Sequence, residues 1–211
     1  MDNLHVKRMT LQEIIENKEL FLKNYGLVDE FKKSGYDWDE LMEIAKQFDE
    51  DRTKKYPKLV QKYISKIASF DSIHSYRFRI KETDSFIKKI IIKANGKGKR
   101  VTKDDYLVNI TDLIGIRVLY VFKEDYYLVH KQLMKEFKHQ LVENVHIKLQ
   151  KGDDISIYEK ILDCDPVPEC NNTYRSIHYT LCAEEKNIKG VRLEIQTRTI
   201  FEEGWSEINH K

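Results

Sequence analysis

The spacing of apolar positions divides the chain into a helical first part and a mixed second part. In the first 70 residues, apolar side chains recur every three or four positions in three runs, which is the period of an amphipathic helix. A T-x-x-E capping box at Thr10 and Glu13 predicts the start of the first helix, and Gly35 breaks the pattern before the second. We therefore expect residues 1–70 to form a helical N-terminal region that packs on the remainder.

Beyond residue 70, runs with strand character alternate with helical runs. The predicted strands are Ile73–Lys81, Leu113–Phe122, Val145–Leu149, Arg175–Cys182 and Val191–Thr197, and the predicted helices are Asp84–Lys93, Glu124–Lys138 and one that starts at Thr199. Leu113–Phe122 is a near-continuous apolar run, which is typical of a central strand. Val145–Leu149 is expected at a sheet edge, followed by an irregular loop through Pro166 and Pro168. Residues 71–211 are thus predicted to form an α+β domain, a mixed β-sheet of about five strands with flanking helices.

Composition excludes several classes of protein. The 37 Lys and Arg balance 35 Asp and Glu, so the net charge of +2 indicates no particular partner. No apolar run approaches the roughly 20 residues of a membrane span, and no membrane partner is expected. Three cysteines fit a reducing, cytoplasmic location. Cys164, Cys170 and His178 are conceivable metal ligands, but the spacing of the two cysteines matches no common zinc site.

A basic segment lies between Lys88 and Lys103 and carries seven Lys or Arg side chains. Two interpretations stay open: a solvated, mobile loop, or a flexible cationic arm that neutralises a polyphosphate. Neither G-x-x-x-x-G-K-S/T nor G-x-G-x-x-G occurs in the chain. A bound nucleotide would therefore be held without either of these phosphate cradles.

Charged residues interrupt the apolar strands, and buried charge needs a physical reason. Asp112 stands at the start of one predicted strand and Arg117 lies within it, while Glu194 interrupts the last strand. Arg79 and Lys81 alternate, so their side chains point to one side. A single carboxylate at a strand end is also explained as a turn residue. Two carboxylates, with phosphates completing the shell, suit Mg²⁺, and phosphoryl-type transfer needs mainly positioning and positive charge.

Four motifs, in this order, resemble those of the RelA/SpoT synthetase domain. They are Arg79-x-Lys81-x-x-x-Ser85-x-x-x-Lys89, Asp112-x-x-Gly115-x-Arg117, Tyr174-x-Ser176-x-His178, and Glu194-x-Gln196-x-Arg198-Thr199 followed by Trp205 and His210-Lys211. Each motif alone is weak, but the combination is specific and covers roughly residues 70–211. The resemblance implies a nucleotidyltransferase-like fold and a small, single-domain (p)ppGpp synthetase.

The resemblance implies a donor side that binds ATP. Arg79 would stack on or flank the adenine, and Lys81 and Ser85 would hold the phosphates. Lys89 and Arg117 are assigned to the same side. For Arg117 the alternative of a buried structural partner stays open.

The resemblance also implies a magnesium centre at the two carboxylates. Asp112 would be the main Mg²⁺ ligand. Glu194 would be either a second ligand or the base that deprotonates the acceptor 3′-hydroxyl, and the sequence does not separate these two roles. Both residues are therefore the predicted catalytic and metal-binding pair.

On the acceptor side, the resemblance implies that Tyr174 stacks on the acceptor base, with His178 and Gln196 near the acceptor nucleotide. Arg198 is assigned to this side or, alternatively, to a buried structural role. One departure concerns the glycine that precedes the motif tyrosine in the family, because Thr173 stands there instead. Glycine permits backbone geometries that threonine does not, so the acceptor loop is expected to have a different shape.

The implied reaction is that of a GTP pyrophosphokinase, in which the 3′-hydroxyl of GDP or GTP attacks the β-phosphorus of ATP and AMP is released. One alternative is a toxic relative that pyrophosphorylates the 3′ end of tRNA or makes adenosine alarmones. A second alternative is a catalytically idle nucleotide-binding regulatory module. The expected partners are ATP and GDP or GTP, together with a possible homo-oligomer.

Overall fold

The structure is a computed structural model that describes residues 8–97, 100–154, 156, 158, 167–170, 174–188 and 190–209. The chain forms two compact units, one of Met1–Pro57 and Ile80–Ile110 and the other of Lys58–Arg79 and Thr111–Lys211. Each unit is assembled from two stretches of chain, and the division at residue 70 stays a prediction about domains. Within the described ranges, no helix has the length and apolar character needed to cross a bilayer.

The first unit is helical around an aromatic core. Its helices are α1 (Leu11–Glu16), α2 (Lys18–Asn24), α3 (Val28–Ser34), α4 (Trp38–Lys54), the first residues of α5 (Tyr56–Ile67), α6 (Thr83–Lys97) and α7 (Tyr106–Asn109). Phe48 of α4 stacks on Phe86 of α6 with ring centroids 3.9 Å apart. The predicted capping box at Thr10 and Glu13 is present, and Gly35 ends α3 with a positive φ of 70°. These two signals were therefore predicted correctly, but the single helical run expected before Gly35 is divided into three helices, α1–α3.

The basic segment is not a loop over most of its length. Lys88, Lys89 and Lys93 lie within α6, so the interpretation of this part as a mobile loop or flexible arm is wrong. Arg100 forms an ion pair with Glu40 and packs over the Tyr36 ring. Gly98 and Lys99 lie outside the described residues. Helix α6 continues into the basic segment because lysine has a high helix propensity.

The second unit contains a mixed six-stranded sheet within the described residues. Its strands are β1 (Ser75–Ile80), β2 (Ile114–Tyr120), β3 (His146–Leu149), β4 (Val167–Cys170), β5 (Ser176–Cys182) and β6 (Arg192–Thr199), in the order β1-β2-β6-β5-β3-β4. The pairs β2–β6 and β3–β4 are parallel, whereas β5 is antiparallel to both β3 and β6. The predicted α+β class and mixed sheet are confirmed.

One predicted edge is wrong. β3 was expected to be an edge strand with an irregular loop after it, but β4 pairs outside β3 and includes Pro168. Proline lacks the N–H that a ladder needs, so it is confined largely to edge strands, where one side of the backbone has no partner. Pro168, from which a loop was predicted, is thus compatible with a position in the outermost strand, β4.

The two faces of the sheet differ in polarity. Apolar side chains of β2 and β6 are buried on one face, among them Ile116 and Ile195. Helix α8 (Asp125–Phe137) covers this face, where His130 hydrogen-bonds to the Tyr179 hydroxyl of β5. Helix α9 (Ile200–Asn209) follows β6 and begins with the predicted capping box of Thr199 and Glu202. The opposite, polar face carries most of the predicted site residues.

Candidate active site

Strand register brings three of the sequence motifs onto one face of the sheet. In the parallel pair β2–β6, Gly115 lies beside Glu194 and Arg117 beside Gln196. In the antiparallel pair β5–β6, His178 lies beside Gln196. Because side chains alternate between the faces of a sheet, these five residues share one face. Long-range register, rather than any local pattern, therefore assembles the site.

A cavity of about 310 Å³ opens on this face. The predicted site residues that line it are Arg79, Asp112, Arg117, Glu194 and Gln196. Arg77 and Glu207 also line it, and neither was singled out from the sequence. Both predicted catalytic carboxylates thus face one space together with three guanidinium groups, which is a suitable environment for a polyphosphate and a cation.

The two carboxylates are electrostatically coupled. Burial raises the pKa of Glu194, the hydrogen bond and charge of His178 and the hydrogen bond of Gln196 lower it, and the nearby charge of Asp112 raises it. The net pKa of Glu194 is below its ordinary value, so the group is ionised at neutral pH. A cation between two such carboxylates would relieve their repulsion, and the oxygen donors fit Mg²⁺. No cluster of three or more His, Cys, Asp or Glu side chains suited to a metal occurs among the described residues. Phosphate oxygens would have to complete the shell.

A chain of hydrogen bonds fixes the orientation of Glu194. His178 donates from Nδ1 to Oε1 of Glu194, and Gln196 donates from Nε2 to Oε2 over 3.1 Å. The carbonyl oxygen of Gln196 accepts from Nη2 of Arg198 over 2.8 Å. A carboxylate on one side and a guanidinium on the other allow only one orientation of the Gln196 amide. Both carboxylate oxygens of Glu194 are therefore held in place.

Tyr174 lies at the end of this chain, just before β5. The centroids of the Tyr174 and His178 rings are 6.1 Å apart, and the two ring planes are inclined by 18°. The guanidinium carbon of Arg198 lies 5.0 Å from the centroid of the Tyr174 ring. The next residue, Arg175, makes two hydrogen bonds of 2.8 Å to the carboxylate of Asp153. This bidentate pair anchors the backbone beside Tyr174. The four predicted acceptor residues are thus in one place, and Asp153 is a supporting residue that no motif indicated.

The two arginines with alternative roles differ in exposure. Arg198 is 2% exposed and forms an ion pair with Glu203 at 3.3 Å. Arg117 is partly exposed at the cavity and donates to Glu203 over 2.8 Å and to Glu207 over 3.0 Å. The buried structural role therefore fits Arg198, while Arg117 is positioned to contact a ligand. Glu203 and Glu207 follow a capping box, and nothing in their local pattern indicated a role at the site.

Three predicted donor residues belong to the first unit. Lys81 precedes α6, where its carbonyl accepts from Nε of Arg52 over 3.0 Å. Ser85 is exposed in the first turn of α6, and Lys89 follows one turn later. Their contacts with a nucleotide stay predictions.

Several sequence features lie outside what the structure describes. They are Cys164, Thr173, His210 and Lys211, together with the side chain of Cys170. Two predictions therefore fall outside the described residues. They are the altered shape of the acceptor loop at Thr173 and the metal site formed by Cys164, Cys170 and His178.

Comparison with known proteins identifies the family. Residues 78–211 match the family described as the region found in RelA / SpoT proteins. GTP pyrophosphokinase YwaC of Bacillus subtilis (strain 168) is 25% identical over 187 residues, which cover 87% of this chain and 78% of that protein. The crystal structure of small alarmone synthetase 1 from Bacillus subtilis is 19% identical with a TM-score of 0.42, covering 82% of this chain and 76% of that one.

The same synthetase bound to its product pppGpp is 18% identical with a TM-score of 0.41, covering 76% of this chain and 73% of that one. The family match itself extends over more than half of the sequence and includes every residue of the four motifs. The chain therefore belongs to the RelA/SpoT family.

Proposed function

We propose that this protein is a magnesium-dependent pyrophosphotransferase that moves the β,γ-pyrophosphoryl group of ATP to the 3′-hydroxyl of GDP or GTP and releases AMP. The observation that carries the proposal is the cavity in which Asp112 and Glu194 face Arg79 and Arg117. Family membership supports the reaction class. The curated relative's name, GTP pyrophosphokinase, supports a guanine nucleotide as the acceptor.

Magnesium, when bound, would neutralise the phosphates and polarise the group in transfer, and Asp112 and Glu194 are the residues that would hold it. Both oxygens of Glu194 already accept hydrogen bonds, and its lowered pKa makes it a weak proton acceptor at neutral pH. An efficient general base has a pKa near the working pH. The lowered pKa of Glu194 therefore supports the metal-ligand role over the role of base.

The arginines supply the positive charge on the donor side. Arg79 and Arg117 lie on neighbouring strands and line the same cavity. A guanidinium group is always protonated, stacks on aromatic rings and binds phosphate through two N–H groups. Each arginine is thus suited to an adenine face or to a phosphate of ATP, and the pair offsets the negative charge of Asp112 and Glu194 in the cavity wall.

Gly115 provides a test of the donor cavity. A β-carbon at this position would lie 3.7 Å from Cγ of Arg79, an ordinary contact, so Gly115→Ala is expected to leave ATP binding nearly unchanged. Gly115→Leu is expected to displace Arg79, fill part of the cavity and weaken the binding of α,β-methylene-ATP by at least about tenfold, or 1.4 kcal/mol. Calorimetric titration of both variants measures this difference. Equal affinities in the two variants would place ATP elsewhere.

Tyr174 provides a test of the acceptor side. Tyr174→Ala is expected to lose roughly 1–3 kcal/mol of GDP binding, the usual range for an aromatic ring stacked on a base. Tyr174→Phe keeps the ring and serves as the matched control, with near wild-type affinity. ATP binding should change little in either variant because the donor cavity is lined by other residues. An equal loss of ATP and GDP affinity in Tyr174→Ala would contradict separate sites.

The reaction class is tested by following AMP. Incubation with magnesium and ATP should yield AMP only when GDP or GTP is present, and the amount of AMP should match the amount of acceptor consumed. An idle nucleotide-binding module would bind ATP without producing AMP. AMP formation that ignores the acceptor would indicate simple hydrolysis and contradict the proposal.

A further inference from the structure

Three guanidinium groups converge on one buried carboxylate behind the cavity. The side chain of Glu203, in α9, is 5% exposed and does not line the cavity. Its Oε1 lies 2.8 Å from Nη1 of Arg117 and 3.6 Å from Nη1 of Arg77, and its Oε2 lies 3.3 Å from Nη1 of Arg198. All four residues belong to the second unit.

Without this carboxylate the cluster would carry only positive charge. Burial lowers the pKa of Arg198, as does the nearby charge of Arg117, whereas the charge of Glu203 raises it. Arginine does not lose its proton in proteins, so the repulsion has to be balanced by an anion. Truncation of one partner in a buried ion pair leaves an uncompensated charge, which is costly. Glu203 is thus the buried anion for a cluster whose outer members reach the cavity.

Glu203 holds Arg117 by one edge of its guanidinium. Nη1 of Arg117 donates to Glu203, and the same nitrogen donates to Glu207 over 3.0 Å. Two hydrogen bonds from one guanidinium nitrogen restrict rotation of the group, and a guanidinium held in this way can still stack on a ring through its flat face. Arg117 is itself part of the cavity wall. The geometry therefore relates a buried residue to the orientation of a ligand-facing one.

We propose that Glu203 is a positioning residue that fixes the guanidinium plane of Arg117 for the donor nucleotide. The inference rests on the proposed function for the identity of that nucleotide, ATP. It does not make Glu203 a catalytic residue, since the carboxylate acts only through Arg117. Glu207 is more exposed and shares the same nitrogen, so it contributes less to the orientation.

The decisive variant is Glu203→Asp. It keeps the buried negative charge but withdraws the carboxylate by one methylene, so the contact with Arg117 is lost while the charge balance remains. A positioning role predicts a protein that stays folded with a modestly lowered melting temperature and an affinity for α,β-methylene-ATP reduced on the order of tenfold, the scale of one charge-assisted hydrogen bond. The matched control is Glu124→Asp, which makes the same change at an exposed glutamate outside the cavity lining and should alter the affinity by less than about threefold.

A second readout does not depend on nucleotide binding. The Nη resonances of Arg117, assigned by their loss in Arg117→Lys, should show hindered rotation of the guanidinium in the wild-type protein and free rotation in Glu203→Asp. Wild-type ATP affinity together with unchanged Arg117 resonances in Glu203→Asp would overturn the proposal. If the wild-type protein bound no ATP analogue, the proposed function would fail, and the resonances would still decide whether Glu203 holds Arg117.

Discussion

Asp112→Asn is expected to lower the rate of pyrophosphate transfer by about 10²-fold or more while the fold is retained. The amide has the shape of the carboxylate but lacks the negative charge that Mg²⁺ requires of its ligands. Asp112 lies just before β2 and faces the cavity that Glu194 also lines. Because the side chain is replaced by a near-isostere, the loss should appear in activity rather than in folding.

The measurement is AMP formation with GDP at saturating ATP, repeated over a range of magnesium concentrations. The matched control is Asp104→Asn, which removes an exposed carboxylate and should leave the rate nearly unchanged. Circular dichroism and the melting temperature establish that both variants are folded. Near wild-type turnover by Asp112→Asn at equal magnesium would show that the active site lies elsewhere.

Glu194→Gln is expected to produce a loss of similar size, for a related reason. The substitution removes a charge that His178 and Gln196 hold in place and that lies close to Asp112. If Glu194 is a metal ligand, the variant should need more magnesium for half-maximal activity. If Glu194 is the base, its magnesium requirement should stay the same, and its residual rate should rise with pH as hydroxide replaces the lost base. An unchanged magnesium requirement would contradict the ligand role proposed for Glu194.

The same variant has a consequence for acid stability. The folded-state pKa of Glu194 is lowered, so its charge contributes stability that is present above the unfolded pKa and is lost as pH falls through the folded pKa. Denaturant unfolding without magnesium should therefore show a smaller loss of unfolding free energy on acidification from pH 6 to about pH 3 in Glu194→Gln than in the wild-type protein. Parallel curves for the two proteins would contradict the assigned pKa shift.

Local signals predicted most strands and the helices α6, α8 and α9, whereas the division of the first helical run into α1–α3 and the short helix α7 were not predicted. The capping boxes at Thr10 and Thr199 and the break at Gly35 each depend on residues within one turn of the backbone, so the sequence carries them directly. The strand β4 was missed because Pro168 and its neighbours resemble a loop, and only pairing with β3 makes them a strand. Such pairing depends on residues far away in the sequence.

In the candidate site, too, residues with a local sequence signal were predicted, and residues that depend on long-range contacts were not. Its motif residues were found because their types and spacing resemble a family, and register then brought Glu194, Gln196 and His178 together. Glu203 and Asp153 were missed because each acts through an arginine distant in the sequence, and an ordinary surface glutamate or aspartate has the same local pattern. Supporting residues of this kind become recognisable only when the tertiary contacts are known.

The most direct test of the proposed reaction follows the label of γ-³²P-ATP in the presence of GDP, GTP, ADP and deacylated tRNA. The proposal predicts that label appears on GDP or GTP in an amount equal to the AMP formed, and that ADP and tRNA stay unlabelled. Release of the label as inorganic phosphate would contradict group transfer. Labelling of tRNA that falls steeply with added salt, as expected when phosphate contacts release counterions, together with unlabelled GDP and GTP, would contradict the proposed acceptor.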